Sequence, residues 1–315
     1  MIENINYLQP KKIQVFLATY NRPHLIEKTI DSILNQSYKL FELIISDNST
    51  NDDTSIIINK KYVNQVKYIH RIPTNPQHFN LILNDVTSDY FMIFHDDDTM
   101  HSNMLEYLCK IINERKEIVA VGANARIIEN GQLKRNFFYK DLKSDITIYD
   151  REQIIKAYSV QKFVPLPGYL YRREVAEKMK FNTNYGRKNC DAAFIIDLLT
   201  LGPIVFVARP LMDYYKHKDQ DSKIYDFIGI LKLIGYIRKS SEYHKNHPLI
   251  IRFRIQNIYA EMKYRLSNDK ISVISKRYLH LIKLLIKYSI TEFFPKIILL
   301  TIYYKLLKLQ KINQK

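Results

Sequence analysis

The sequence predicts an α/β protein: a mostly parallel sheet flanked by helices, followed by a helical C-terminal extension. Three observations predict it. Between residues 13 and 115, short β-branched runs alternate with helical patterns, the order expected when helical crossovers join parallel strands. Three of those runs end in polar clusters, Thr19-Tyr20-Asn21, Asp47-Asn48-Ser49 and Asp96-Asp97-Asp98, and sites in such sheets lie beyond the carboxyl ends of the strands. Past about residue 223 the strand pattern stops and a helical period takes over.

The first strand is IQVFLAT (13–19), ended by the turn Tyr20-Asn21-Arg22-Pro23, with Pro23 in the first turn of a helix whose apolar face is Leu25, Ile26, Ile30, Ile33 and Leu34. FELIIS (41–46) is the second strand, leading through Asp47 into a helix from about residue 52, and VKYIH (66–70) is the third, preceding the helical run QHFNLILNDV. YFMIFH (90–95) runs into the triple Asp, with a helix near 101–115 behind it. EIVAVGANARII (117–128) is a strand or strand pair, and Asn130-Gly131 offers a hairpin turn. FVPLPGYLYR (163–172) is a Pro/Gly-punctuated loop entering a strand, and a helix near 190–201 stops at Gly202-Pro203. IVFVA and LMDYYKHKDQDS close this part, so the expected division is 1–222 for the α/β domain and 223–315 for the extension.

The chain has 315 residues, 46% hydrophobic and 25% charged, ordinary for a globular protein with a sizeable core. Its net charge is +16, but residues 223–315 carry 19 Lys and Arg against 5 Asp and Glu, leaving the first 222 close to neutral. A charge so segregated argues against a general nucleic-acid binder. The two cysteines, Cys109 and Cys190, have no metal-ligand spacing and fit a reducing compartment. The N-terminus MIENINYLQPKK lacks the apolar region of a secretory signal, and no window reaches about 18 uninterrupted apolar residues, so the expected location is cytoplasmic.

Adjacent carboxylates raise one another's pKa, so a buried strand ending in three of them needs a cation or full solvation. Hard oxygen ligands suit Mg²⁺ or Mn²⁺, which share their shells with substrate phosphates, and this makes a nucleotide diphosphate the natural partner. A solvated acidic turn is the plainer alternative. Neither a Rossmann glycine fingerprint nor a P-loop is present.

The chain resembles the family 2 glycosyltransferases of GT-A (Rossmann-like) fold over about residues 12–222. VFLATYNRPHLIEKTIDSILNQSYKLFELIISDNST is similar to the family's opening strand, its T-Y-N-R turn, the helix ending in S-I-L-N-Q, and the second strand ending in D-N-S; FHDDD stands where the family carries its metal-binding D-x-D. His95 takes the place of the usual first acid, a departure that leaves Asp97 as the expected metal ligand, with Asp96 and Asp98 supporting it. The resemblance implies that Thr19 and Tyr20 line a nucleotide pocket, that Asn21 shapes the turn, that Asp47 accepts a hydrogen bond from a uracil ring, and that Asp96 lies near ribose or phosphate. An N-cap is the alternative role for Asp47. It further implies inverting sugar transfer, with Asp191 at a helix start as general base and Asp197 as second choice; the alternative for Asp191 is a favourable interaction with the helix dipole. His217 matches a histidine that closes the pocket, sometimes as a metal ligand, and Pro167, Gly168 and Tyr169 would form a sugar platform facing the acceptor.

The implied partners are a UDP-sugar donor, a divalent metal, and a glycan or lipid-linked acceptor. The basic stripes SKRYLHLIKLLIKYS and PKIILLTIYYKLLKLQK have an interfacial-helix composition, which points to peripheral contact with the inner face of the membrane. Helices packed on the catalytic domain or on a second subunit, giving a homo-oligomer, are the alternative. Abundant Ile, Lys and Asn suggest an AT-rich bacterial source, and with it capsule, lipopolysaccharide or other surface-glycan synthesis. Among rival classes, an aspartyl-phosphate phosphotransferase or phosphatase would place Met100 where Thr or Val is expected and gives Asp47 no role. A nucleic-acid-binding protein would leave the acidic strand ends unexplained.

Overall fold

The structure, a computed structural model, describes residues 11–73, 77–217, 220, 225–267 and 283. The two basic stripes of the C-terminal extension, at 275–289 and 295–311, lie outside the described residues apart from Lys283.

The alternation of strand and helix is as expected. β1 (Ile13–Thr19), α1 (Pro23–Leu34), β2 (Phe41–Asp47), α2 (Asp53–Lys61), β3 (Lys67–His70), α3 (His78–Asn84) and β4 (Tyr90–His95) follow one another. They lay down four parallel strands in the order β3-β2-β1-β4. After the acidic turn come β5 (Thr99–Met100) and α4 (Met104–Glu114), then β6 (Ala120–Glu129), β7 (Gln132–Arg135) and β8 (Ile146–Ile148). Asn130 and Gly131, both at positive φ (52° and 74°), make the tight β6–β7 hairpin that this pair of residues favours. The chain continues through α5 (Arg151–Ser159), β9 (Tyr169–Arg172), α6 (Arg173–Lys178), α7 (Cys190–Leu198) and β10 (Ile204–Lys216), then α8 (Phe227–Ser240) and α9 (Pro248–Ser267). β9 inserts antiparallel between β4 and β6, so the sheet is mixed in its second half. β10 runs parallel to β6 and shifts register around Pro210; its distal half pairs with β5 beside the acidic turn.

Period-2 alternation in the central strands sorts side chains between two cores. Val15, Leu17, Met92 and Phe94 meet Ile26, Ile30 and Ile33 of α1 and Leu105, Leu108 and Ile112 of α4 on one face. On the other, Phe16, Phe91 and Ile93 join Ile82 and Leu83 of α3, Phe194 and Ile195 of α7, Leu233 and Ile237 of α8, and Ile250 and Phe253 of α9. The first two helices of the basic extension thus complete the second face of the sheet. Among the described residues no helix is long and apolar enough to cross a membrane.

Candidate active site

Register brings the polar strand ends to one edge: Thr19 of β1 stands opposite Asp47 of β2, and Ala18 stands opposite His95 of β4. The Thr19 hydroxyl then donates to Asp96 Oδ2 at 2.6 Å. Asn21 sits in the left-handed region at φ 52°, a conformation asparagine tolerates better than most residues. From there its N–H donates to Ser49 Oγ (2.8 Å), and its Oδ1 accepts from Thr50 N (2.9 Å), tying the loop after β1 to the loop after β2. Tyr20 lies in the same loop and is 42% exposed.

Asp47 is fully buried: Oδ1 accepts from Ser49 N at 2.8 Å and Oδ2 from the Tyr68 hydroxyl at 2.8 Å. α2 begins six residues later, with Asp52 in the N-cap position, so Asp47 makes a local Asx turn instead of a helix cap. Burial, then the neighbouring Asp47 carboxylate, pushes the Tyr68 phenol well above its ordinary range, so it stays a donor.

The acidic turn is held from several sides. Thr29 of α1 donates to the carbonyls of Asp96 (2.9 Å) and Asp98 (2.8 Å). Arg22 spans two of the acids, its Nη2 lying 2.5 Å from Asp96 Oδ1 and its Nη1 2.9 Å from Asp97 Oδ2. His217, at the end of β10, donates through Nε2 to the same Asp97 oxygen at 2.9 Å. Tyr215 N donates to Asp98 Oδ1 at 2.9 Å, while Asp98 Oδ2 is buried and has no hydrogen-bond partner among the described residues. Burial raises Asp96 to about 6 despite Arg22. Burial and then the charge of Asp97 drive Asp98 well above the usual carboxylate range. At Asp97 burial also pushes upward, but His95, Arg22 and His217 outweigh it and hold the carboxyl low.

One ligand atom each from His95, Asp97 and Asp98 lies within 4.8 Å of the others, a grouping that could hold a divalent cation. The Asp98 oxygen without a partner fits such an ion, as does a donor set of one imidazole and two carboxylates. His217 contacts Asp97 and is not among these three. It sits beyond the carboxylate, where a residue orients a ligand.

Asp191 stands in the first turn of α7, as anticipated, with Oδ1 accepting from Ala192 N at 2.8 Å. Burial raises its carboxyl to about 6. Its surroundings are the buried phenols of Tyr158, Tyr169 and Tyr171, each pushed up first by its own burial and also by Asp191. Asp197 has a different task. It accepts from Arg151 Nη1 (3.0 Å) and the Tyr236 hydroxyl (2.6 Å), binding α7 to α5 and α8, so its reading as an alternative base gives way to a structural one.

The platform expected of Pro167, Gly168 and Tyr169 is also corrected. Pro167 and Gly168 are buried in a 3₁₀ turn leading into β9 and Tyr169 is the buried first residue of that strand; a Cβ on Gly168 would meet Ala123 O at 2.8 Å, and the Tyr169 ring stacks on Tyr171 in the core. A Pro/Gly-rich segment suggests a surface loop, but here its small residues allow close approach to β6. Sequence reasoning assigned no role to Arg22 or Tyr68; Arg22 lay within the recognised T-Y-N-R turn, while nothing near Tyr68 in the sequence marks it.

Residues 14–180, just over half of the chain, match the sequence profile of Glycosyl transferase family 2. A GalNAc(5)-diNAcBac-PP-undecaprenol beta-1,3-glucosyltransferase of Campylobacter jejuni is 28% identical over 55% of this chain and 56% of its own length. The poly(ribitol-phosphate) beta-N-acetylglucosaminyltransferase TarP of Staphylococcus aureus is 26% identical over 60% of this chain and 58% of its own. The chain therefore spans little more than half the length of these curated relatives. Among solved structures, S. aureus TarS 1-349 in complex with UDP-GlcNAc superposes with a TM-score of 0.54 at 16% identity, covering 86% of this chain and 90% of that one. The mannosyltransferase PcManGT of Pyrobaculum calidifontis, in complex with GDP-Man and Mn²⁺, gives a TM-score of 0.56 at 14% identity over 97% and 88% of the two chains.

Proposed function

The chain belongs to glycosyl transferase family 2, and on that premise we propose that it moves a sugar from a nucleotide-sugar, with UDP as carrier, to a hydroxyl of a glycan or lipid-linked glycan, with inversion, in the synthesis of a bacterial surface polysaccharide. The observation that carries the reading is the meeting of Thr19, Asp47 and the His95, Asp97 and Asp98 trio at the carboxyl ends of three adjacent parallel strands. The relatives named as acting on an undecaprenol-linked glycan and on poly(ribitol-phosphate) support the acceptor class.

In this reading Tyr20 and Thr19 line the nucleotide side, Asn21 holds the two loops together, and Asp47 receives the N–H of the uracil ring once Tyr68 yields its place on Oδ2. His95, Asp97 and Asp98 would hold a divalent ion, Mn²⁺ or Mg²⁺, which when bound stabilises the negative charge of the departing diphosphate. Arg22 and His217 keep Asp97 oriented, and Asp96, paired with Arg22, sits on the ribose and phosphate side. Asp191 is the base: with Oδ1 engaged by Ala192 N, Oδ2 takes the proton of the acceptor hydroxyl as that oxygen attacks the anomeric carbon. The basic extension brings the enzyme to an anionic membrane surface from the cytoplasmic side.

Calorimetric titration of UDP tests this. Binding is expected with Mn²⁺, lost with EDTA, and weakened at least about tenfold in Asp97→Ala. Absence of UDP binding under every condition refutes the donor assignment.

A further inference from the structure

The acidic turn departs from an all-carboxylate site at one position, and the departure has chemical content. His95 is the last residue of β4, where strand alternation puts it on the same face as Phe91 and Ile93. There its ring lies flat against Phe79, centroids 6.0 Å apart and planes 3° from parallel, which fixes the imidazole plane. Asp98 is braced through Oδ1 by Tyr215 N, and Asp97 through Oδ2 by Arg22 and His217. Each member of the trio is thus held by protein, and one ligand atom from each lies within 4.8 Å of the others. The clearest sign that a ligand is expected is Asp98 Oδ2, on a side chain with no solvent exposure and without a hydrogen-bond partner among the described residues. An oxygen in that state costs about 1–3 kcal/mol unless something fills the place of the missing donor.

We propose that His95 is a direct ligand of this centre and makes it selective for a transition-metal ion of the Mn²⁺ class over Mg²⁺. The proposal rests on the nucleotide-sugar reading of the same site. Mg²⁺ demands a near-ideal octahedral oxygen shell and gives up water reluctantly, whereas imidazole nitrogen is a good donor to first-row transition ions and a poor one to Mg²⁺. Replacing one carboxylate by imidazole also removes a negative charge from the ligand set, which weakens electrostatic attraction for any dication and leaves selectivity to the nitrogen bond. Two carboxylates and one imidazole should therefore hold Mn²⁺ where Mg²⁺ binds poorly.

The test is Mn²⁺ binding to the full chain, followed by electron paramagnetic resonance, with the metal alone and with UDP added, and with Mg²⁺ as competitor. Bound Mn²⁺ should show nitrogen hyperfine coupling in pulsed spectra and should resist displacement until Mg²⁺ is in at least about tenfold excess over its own concentration. His95→Asp should abolish the nitrogen coupling and bring the two ions to within a few-fold of each other, while His217→Ala should leave the coupling intact. Wild-type spectra without nitrogen coupling overturn the proposal whether or not the variants fold; so does coupling that survives in His95→Asp and vanishes in His217→Ala, or Mn²⁺ that fails to bind with and without UDP. The donor reading fails separately: it falls if UDP does not bind, whatever the metal spectra show, and it survives if UDP binds with no metal or with an ion ligated by oxygen alone.

Discussion

Replacing Asp191 by Asn separates the two consequences of burying the carboxylate proposed as the base. The variant keeps the shape of the side chain, and its amide oxygen can still accept from Ala192 N, so the start of α7 is preserved. In the native protein burial raises the carboxyl from 3.8 to about 6. At about 1.4 kcal/mol per pH unit, that rise sets a ceiling of about 3 kcal/mol on the cost of keeping the group ionised in the fold. Asp191 retains partial contact with solvent, which screens part of this and leaves about 1–2 kcal/mol. The sign follows from linkage. Below the unfolded value near 3.8 both states are protonated and there is no penalty; between there and about 6 the unfolded chain ionises first; above 6 the full penalty applies. Asp191→Asn should therefore be more stable than wild type at pH 8, by about 1–2 kcal/mol in urea unfolding, with the advantage shrinking toward zero near pH 4. At the same time sugar transfer should fall by at least about a hundredfold, since an amide cannot take the proton. A variant that loses activity with no pH-dependent gain in stability would refute the burial argument, and one that keeps activity would remove Asp191 as the base.

The rate of transfer by the wild-type enzyme should itself drop about tenfold per pH unit below about 6, where Asp191 becomes protonated, and a profile flat to pH 5 would contradict the assignment. Gly122→Ala places a Cβ 2.7 Å from Tyr169 Cε1 and from Val164 Cγ2, both in the core, and should cost about 1–3 kcal/mol in unfolding free energy. Gly235→Ala, on the exposed side of α8 with nothing within 4 Å, should instead stabilise by about 0.5–1 kcal/mol. Arg126→Ala removes a bidentate partner of Asp213 (2.6 and 2.8 Å), leaving that carboxylate to His101 alone. Chemical denaturation should register a loss of about 1–3 kcal/mol, and a double-mutant cycle with Asp213→Ala should show strong coupling.

The first half of the fold is legible because every signal there is local. The short apolar runs of β1 and β4, Pro23 at the start of α1 and the Asn130-Gly131 hairpin each act over a few residues, and the strand ends they imply fall where the polar clusters stand. The second half was harder because its order depends on pairing. Nothing in YLYR says that β9 inserts antiparallel between β4 and β6, and nothing in RPLMD says that β10 changes register there to reach β5. The Pro167-Gly168-Tyr169 segment misled for a related reason: turn chemistry describes the backbone, and only the packed sheet decides whether a turn faces water or Ala123.

The acidic turn makes the same division within the site itself. Three adjacent carboxylates were visible in the sequence as a problem in need of a counter-charge, and a cation was the natural answer. The protein supplies part of that answer from its own chain, through partners that sequence distance conceals: Arg22 reaches Asp97 across 75 residues and His217 reaches it across 120. These contacts stabilise the ionised Asp97 without any ion, so tolerance of the cluster alone does not establish a metal site. Asp98 is what the internal partners leave over. Its Oδ1 is satisfied by a backbone N–H, its Oδ2 by nothing among the described residues, and its burial works against charge. A side chain meant only to pack would not carry that cost beside an imidazole and a second carboxylate whose ligand atoms lie within 4.8 Å of its own. The charge balance therefore explains how the turn folds, and the unpartnered oxygen of Asp98 is the part that calls for a ligand.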